Sequence, residues 1–449
     1  MKFKNLRNWH YKPISSITET ITDYVANGSF ATLKENTEYV DNSNFILIRL
    51  VDYKNNFNGE FKYITKKSYE FLDKTKLFGG EIIISNVGAN AGTVFKTPYL
   101  KYKMSLGPNS ILLKTKENDK FYYYWFKSIY GQFSLESIKT GSAQPKFNKT
   151  DFRKLLVPVP NILEQNRISN ILNNLDKKIE VNNKIIANLE EQAQAIFKSW
   201  FVDFESFQDG NFVESELGMI PEGWEVKKLK EIFEFKKGRK PKVLHEKIKD
   251  NYIPYLVKGV IDGSENPKFT NEGKIVIIDK LDTFMLMDGA NSGNIYYGFK
   301  GALGSTFSLL ETKDKKYDDI LYWFLKTNEP IIKNQNTGSA IPHANKSFIY
   351  SMNIAVPDNS KNDKISKVLR DFRRKIIYNN EENKKLAEIR DALLPKLMSG
   401  EIDVSNIKIK GEEVKNEWNL FGRRIWKNLY KIYWGLRLPL SPSPRNCKR

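Results

Sequence analysis

The residues best placed to do chemistry in this sequence are cations and amides, not acids, thiols or imidazoles. Lys236-Lys-Gly-Arg-Lys-Pro-Lys242 gathers Lys236, Lys237, Arg239, Lys240 and Lys242 in one short loop, and Lys101 and Lys103 form a smaller pair earlier. Such side chains neutralise phosphate, Arg can grip guanine bidentately, and Asn or Gln suits adenine. On that ground Asn27, Ser29, Arg49, Asn86 and Asn90 are candidate readers, although any one such residue more often only meets water. A formal charge of +19, from 72 Lys and Arg against 53 Asp and Glu, agrees with a polyanionic partner.

Two further segments carry candidates, and each occurs twice. Gly88-Ala-Asn-Ala-Gly92 returns as Gly289-Ala-Asn-Ser-Gly293, presenting Asn90 and Asn291. Glycine permits a positive φ and close approach, and the intervening amides can accept a phosphate; a plain tight turn is the competing reading. Thr140-Gly-Ser-Ala-Gln-Pro-Lys-Phe-Asn-Lys149 returns as Thr337-Gly-Ser-Ala-Ile-Pro-His-Ala-Asn-Lys346. Such a loop can place Lys149 or Lys346 on phosphate, or it can serve as a hinge. No Gly-Lys-Ser/Thr ending, nucleophile elbow, methyltransferase signature or His-Glu-x-x-His follows, so catalysis by the chain alone is not expected. Three dispersed histidines and a single cysteine, Cys447, leave no metal site and fit a reducing compartment.

The elements that must position these loops are also duplicated. An offset of 197 carries Thr140 onto Thr337, Val159-Pro160 onto Val356-Pro357, and Ile168, Leu172 and Ile179 onto Ile365, Leu369 and Ile376. Phe45–Val51, Glu81–Ser85 and Ser110–Lys114 read as strands, as do Ile275–Ile278 and Thr306–Leu310. Phe121–Lys127 and Ile320–Leu325 read as buried aromatic helices. Trp9 and Trp224 open the two units, with Ile17 and Ile232 at matching distances behind them. Trp9 to Gly88 spans 79 residues against 65 from Trp224 to Gly289, so the frames are shared while the early loops are not.

A long amphipathic helix is expected after each unit. Ile168, Leu172, Leu175, Ile179, Asn182, Ile186, Leu189, Ala193, Ile196 and Trp200 follow heptad steps, and Ile365 to Leu397 repeats the seam with Asn379 in the place of Asn182. Each helix would be roughly 50 Å long. Either each packs on its own unit or, as the matching seams favour, the two pair antiparallel, with a buried Asn fixing register. The expected fold is therefore α/β (α+β): two repeated domains separated by a long antiparallel two-helix coiled coil with a pseudo-twofold. Its divisions are 1–160, 161–203 (helical), 204–223 (linker), 224–358, 359–403 (helical) and 404–449. Two readers so spaced match a turn or more of B-DNA, about 34–36 Å. Within the last segment, Trp418–Leu438 is aromatic and basic and reads either as a surface helix or as an appended stretch. Nothing resembles a secretory signal or a membrane span, so the expected location is cytoplasmic.

Ile196-Phe-Lys-Ser-Trp-Phe-Val-Asp-Phe204, Leu217-Gly-Met-Ile-Pro-Glu-Gly-Trp-Glu-Val226 and Leu393-Leu-Pro-Lys-Leu-Met-Ser-Gly-Glu-Ile402 resemble the DNA specificity subunit of type I restriction–modification systems. So does the repeated Thr-Gly-Ser-Ala-x-Pro with its following Val-Pro and helix. The resemblance runs from about Trp9 to Val404; the tail beyond has no counterpart. It implies two target recognition domains, each reading half of a bipartite sequence in double-stranded DNA, and helical regions acting as a ruler. It further implies that methyltransferase subunits dock on the helices and that restriction (motor–nuclease) subunits join them. S-adenosylmethionine, ATP and Mg²⁺ would then belong to those partners, with no cofactor in this chain. The rival expectation is a coiled-coil adaptor whose end domains bind protein or RNA.

Overall fold

In the computed structural model, residues 9–357 and 359–405 are described, with the side chains of 359–363 set aside. The chain divides into two compact units. Unit 1 comprises residues up to Ile179 together with 384–405, and unit 2 comprises 180–383. Residues 406–449 lie outside the described span, and with them the expected aromatic and basic segment Trp418–Leu438.

Unit 1 is built on a four-stranded antiparallel sheet in the order Thr18–Asp23, Ser110–Thr115, Ile82–Ser85, Val94–Lys96. Its central strands, Ile82–Ser85 and Ser110–Thr115, are buried on both sides because both faces are covered. Ile82 and Ile84 join the cluster formed with the helix Asp119–Lys127, while Ile83 joins a second cluster with Phe95, Leu106 and Leu112. Asn118 caps that helix by accepting from the Phe121 N–H at 3.1 Å, and all six residues Phe121–Phe126 are buried. A five-stranded sheet beyond it pairs Phe45–Ile48 in parallel with Lys103–Leu106. His10–Pro13 pairs with Leu156–Val159 and closes the unit beside its first tryptophan, Trp9.

Unit 2 repeats this plan. Its four-stranded sheet runs Phe233–Lys237, Phe307–Thr312, Phe284–Leu286, Ile295–Tyr296. Asp318–Thr327 supplies the buried helix, and Glu225–Lys228 pairs with Asn353–Val356 as His10–Pro13 does with its partner. In the second sheet Ile253–Leu256 again runs parallel to Gly301–Leu303, but there are four strands instead of five. The span 204–223 contributes a hairpin of Phe212–Ser215 with Gly218–Pro221, and Phe204, Ile220 and Trp224 lie in the core of unit 2.

Two expected strands end differently. Phe45–Val51 stops at Ile48, because Asp52 accepts from the Arg49 backbone N–H at 2.7 Å and starts the helix Leu50–Lys54. Only Ile277–Ile278 of 275–278 is strand.

The long helices are Ile162–Phe201 and Asn359–Met398, 40 residues each. In both units they run antiparallel and dock on the globular core at once. In unit 1, Ile168 and Leu172 share a cluster with Leu397, Met398 and Val404, and Arg390 Nη1 donates to Asp176 at 2.7 Å. In unit 2, Ala193 and Phe197 join Ile365, Leu369, Phe372 and Ile376. Asn182 is buried, as a register-fixing seam residue should be, but it donates to Glu382 at 2.7 Å and Asn383 at 2.9 Å instead of facing Asn379.

Unit 1 also carries a titratable group at its helix joint. Lys96 Nζ lies 4.1 Å from the centroid of the Tyr123 ring, and burial lowers its pKa to about 8, with Asp176 opposing the drop. An unfolded lysine titrates near 10.4, so from about pH 8 to 10 the unfolded chain keeps a proton that the folded chain has released. Stability contributed by this site therefore rises with pH across that window. Allowing for partial exposure, a gain of about 1–2 kcal/mol is expected. Urea midpoints at a series of pH values should show it for the native chain and not for Lys96→Met; equal slopes in the two proteins would refute the assignment.

Candidate nucleic-acid interface

The two duplicated loops come together in each unit as one clip. In unit 1, the Gly88 N–H donates to the Pro145 carbonyl at 2.8 Å and the Phe147 N–H to the Asn86 carbonyl at 3.0 Å. Thr140 and Lys146 exchange backbone bonds at 2.8 and 2.9 Å, closing the loop on itself. Unit 2 reproduces the set. Gly289 donates to Pro342 at 2.9 Å, Ala344 to Met287 at 2.9 Å, and Thr337 and His343 exchange bonds at 2.9 and 2.7 Å. Gly88, Gly141, Gly289 and Gly338 all hold φ between 83° and 104°, the left-handed region that suits glycine. The clip leaves Thr140–Gln144 and Thr337–Ile341 exposed, with Asn90 and Asn291 exposed beside them. Each segment is the other's hydrogen-bonding partner.

In unit 2 the basic loop forms a concave surface. Lys236, Lys237, Gly238, Arg239 and Lys240 line an open cleft of about 680 Å³ with Lys274, Ile275, Val276 and Ser305. Gly238 is fixed by its N–H to the Phe307 carbonyl at 2.9 Å and Arg239 by its N–H to Leu303 at 3.0 Å, so the strand edge aims the cations. Lys236 is paired with Glu311 at 2.5 Å, whereas Lys237, Arg239, Lys240 and Lys242 are exposed. Lys274 was not a sequence candidate. It stands alone in the sequence, far from the basic run, and only the fold brings it to the cleft.

Apart from Lys101, the other candidates are engaged inside their own units. Asn27 donates to Tyr24 O and Thr75 Oγ1 and accepts from the Lys74 N–H. Ser29 caps the helix Phe30–Asn36. Arg49 makes a two-point contact with Asp52, at 3.1 and 2.7 Å, and Asn86 donates to Phe147 O at 3.0 Å. Lys149 pairs with Asp23 at 2.8 Å. Lys103 and Lys346 lie over the rings of Phe45 and Phe235, at 5.9 and 5.3 Å, and Lys101 is exposed. Among the described residues no group of His, Cys, Asp and Glu could hold a metal ion, and no helix is long and apolar enough to cross a membrane.

Fold and surface together define a duplicated recognition protein: two α/β units of one plan, each displaying the same pinned loop, joined to paired helices. The type I restriction modification DNA specificity domain matches residues 7–191 and 221–388, most of the chain, and the chain belongs to that family. It is a DNA specificity subunit, a recognition component and not an enzyme. It is 33% identical over 221 residues to the type I restriction enzyme MjaVIII specificity subunit of Methanocaldococcus jannaschii, an alignment covering 48% of this chain and 51% of that protein. The MjaIX specificity subunit of the same organism is 27% identical over 425 residues, covering 89% of this chain and 95% of that one. Among solved structures, the type I restriction-modification S subunit from M. genitalium shares the fold with a TM-score of 0.57 at 20% identity, covering 88% of this chain and 98% of that one.

Proposed function

We propose that this chain reads a bipartite sequence in double-stranded DNA, one half per unit, within a type I restriction–modification complex in the cytoplasm. The observation that carries the reading is the duplicated clip, displayed by two units of one plan whose surrounding loops differ. The chain directs methyltransferase subunits to adenines in the two halves and restriction subunits to foreign DNA. S-adenosylmethionine, ATP and Mg²⁺ belong to those partners. Of the sequence candidates, Asn90, Asn291, Lys101, Lys237, Arg239, Lys240 and Lys242 are the free contacts, joined by Lys274. The cleft cations take phosphate, since a concave, one-signed surface focuses the field on a polyanion.

The test is the salt dependence of duplex binding by the assembled complex. Each phosphate contact contributes a slope of about −0.9 in log K against log salt. Lys237→Ala/Arg239→Ala/Lys240→Ala is expected to flatten the slope by roughly 2–3 and to weaken all duplexes alike. A slope unchanged in this variant would remove the cleft from the interface. A wild-type complex that binds no duplex selectively would remove the reading.

A further inference from the structure

We infer that the residue at the tip of each clip, Gln144 in unit 1 and Ile341 in unit 2, reads a base, and that the two read different ones. The inference rests on the DNA reading above and names the side chains that make the halves differ. The four pinning hydrogen bonds are the same in both units and agree to within a few tenths of an ångström. The backbone turn is the same too. A Cβ on Gly141 would meet the Gln144 carbonyl at 3.0 Å, and one on Gly338 would meet the Ile341 carbonyl at 2.5 Å. In both units the tip carbonyl is thus folded against the glycine, and the tip side chain is left in solvent. Between Thr140 and Pro145, and between Thr337 and Pro342, that side chain is the one difference.

Chemistry distinguishes the two tips. A glutamine amide donates and accepts side by side, the pattern that matches the N6 and N7 edge of adenine in the major groove. Ile341 offers nothing polar and is 58% exposed on a loop of small polar residues. Thymine is the base that presents a methyl group in the major groove, so an apolar tip fits it. The pinning bonds are kept twice although Lys146 and Phe147 are His343 and Ala344 in unit 2, and between the Thr and the Pro the one exchanged side chain, at the exposed end, places a difference where two half-sites can differ.

The experiment uses the full chain assembled with its methyltransferase subunits in a host without other adenine methylation, with methylated sites mapped across the genome. Gln144→Ile should move one position of the half read by unit 1 from adenine towards thymine. Ile341→Gln should do the reverse in the other half, each with a change in preference of roughly 5- to 150-fold. Gln144→Ala and Ile341→Ala should relax the same positions without a new preference. Unchanged motifs in the exchanged variants overturn the inference while leaving the bipartite reading intact. So does a folded variant that no longer assembles with its partners, which would make the tips a protein contact. A wild-type complex that methylates nothing overturns both.

Discussion

Replacing residues 1–160 with the matching segment of another family member is expected to change one half of the methylated sequence and leave the other half as it was. The boundary follows from the fold. His10–Pro13 pairs with Leu156–Val159, so a graft ending near residue 150 would separate two strands of one ladder and cut the helix Lys149–Lys154. Pro160, just before the long helix, is the place to join. The incoming segment must also meet residues that stay behind. Trp9 donates to Glu164 at 3.1 Å, Tyr124 to Asp176 at 2.6 Å, and Ile168, Leu172, Leu397 and Val404 complete the core. A donor that keeps the tryptophan and the aromatic helix satisfies these contacts; one that lacks them takes the Tyr124 hydroxyl from Asp176, leaving it Arg390, and the Trp9 indole N–H from Glu164. Each altered base pair is worth about 1–3 kcal/mol, so two differences reduce use of the old half roughly 30-fold or more. Mapping methylated adenines in cells carrying the chimaera and the methyltransferase subunit decides the matter. A motif altered in both halves, or in neither, would defeat the claim that each unit reads alone.

The parts of this molecule that were legible in its sequence are those written in local pattern. The strands around Ile83 and Leu112 and the aromatic helices at 121–127 and 320–325 are short apolar runs bounded by turn or polar residues, the long helices follow heptad steps, and packing kept them all. The clip was not legible as a clip, because Gly88 and Pro145 are far apart in the chain and no local rule joins them. Arg49 shows what composition leaves out: Asp52 three residues on is the spacing of a capping pair, and the structure uses it so. The span 204–223 carried a similar clue in Phe204, Phe207 and Phe212, aromatic residues that a solvated linker would not hold. Lys149 and Lys274 are the reciprocal cases: one cation is taken by an aspartate 126 residues away, and the other is delivered to a cleft by a distant strand pairing.

Removing the Arg373 guanidinium is expected to destabilise unit 2 by about 3–5 kcal/mol, the range for breaking a buried ion pair from one side. Arg373 and Asp319 are both fully buried, with Nη1 donating to Oδ1 at 3.0 Å. Nη2 donates to Leu281 O at 2.6 Å and to Thr283 Oγ1 at 3.3 Å. The guanidinium carbon lies 4.6 Å from the centroids of both Tyr297 and Tyr322, and Arg370 Nε reaches Asp319 at 2.8 Å from outside. This cluster fastens the second long helix to the buried helix Asp318–Thr327. At the offset of 197, unit 1 has Asp176 where unit 2 has Arg373, and there the joint has the opposite polarity: Asp176 accepts from Tyr124 and Arg390. Arg373→Ala leaves Asp319 in a dry site with only Arg370 beside it. Arg373→Met/Asp319→Leu removes both charges and keeps the volume, so it should recover most of the loss, since a buried pair contributes little over well-packed apolar groups. Denaturant titration, followed through the emission of the fully buried Trp323, separates the two variants. A single variant within about 1 kcal/mol of the native chain, below the range for a stranded charge, would mean that water already reaches the pair and that the joint is held by its aromatic contacts alone.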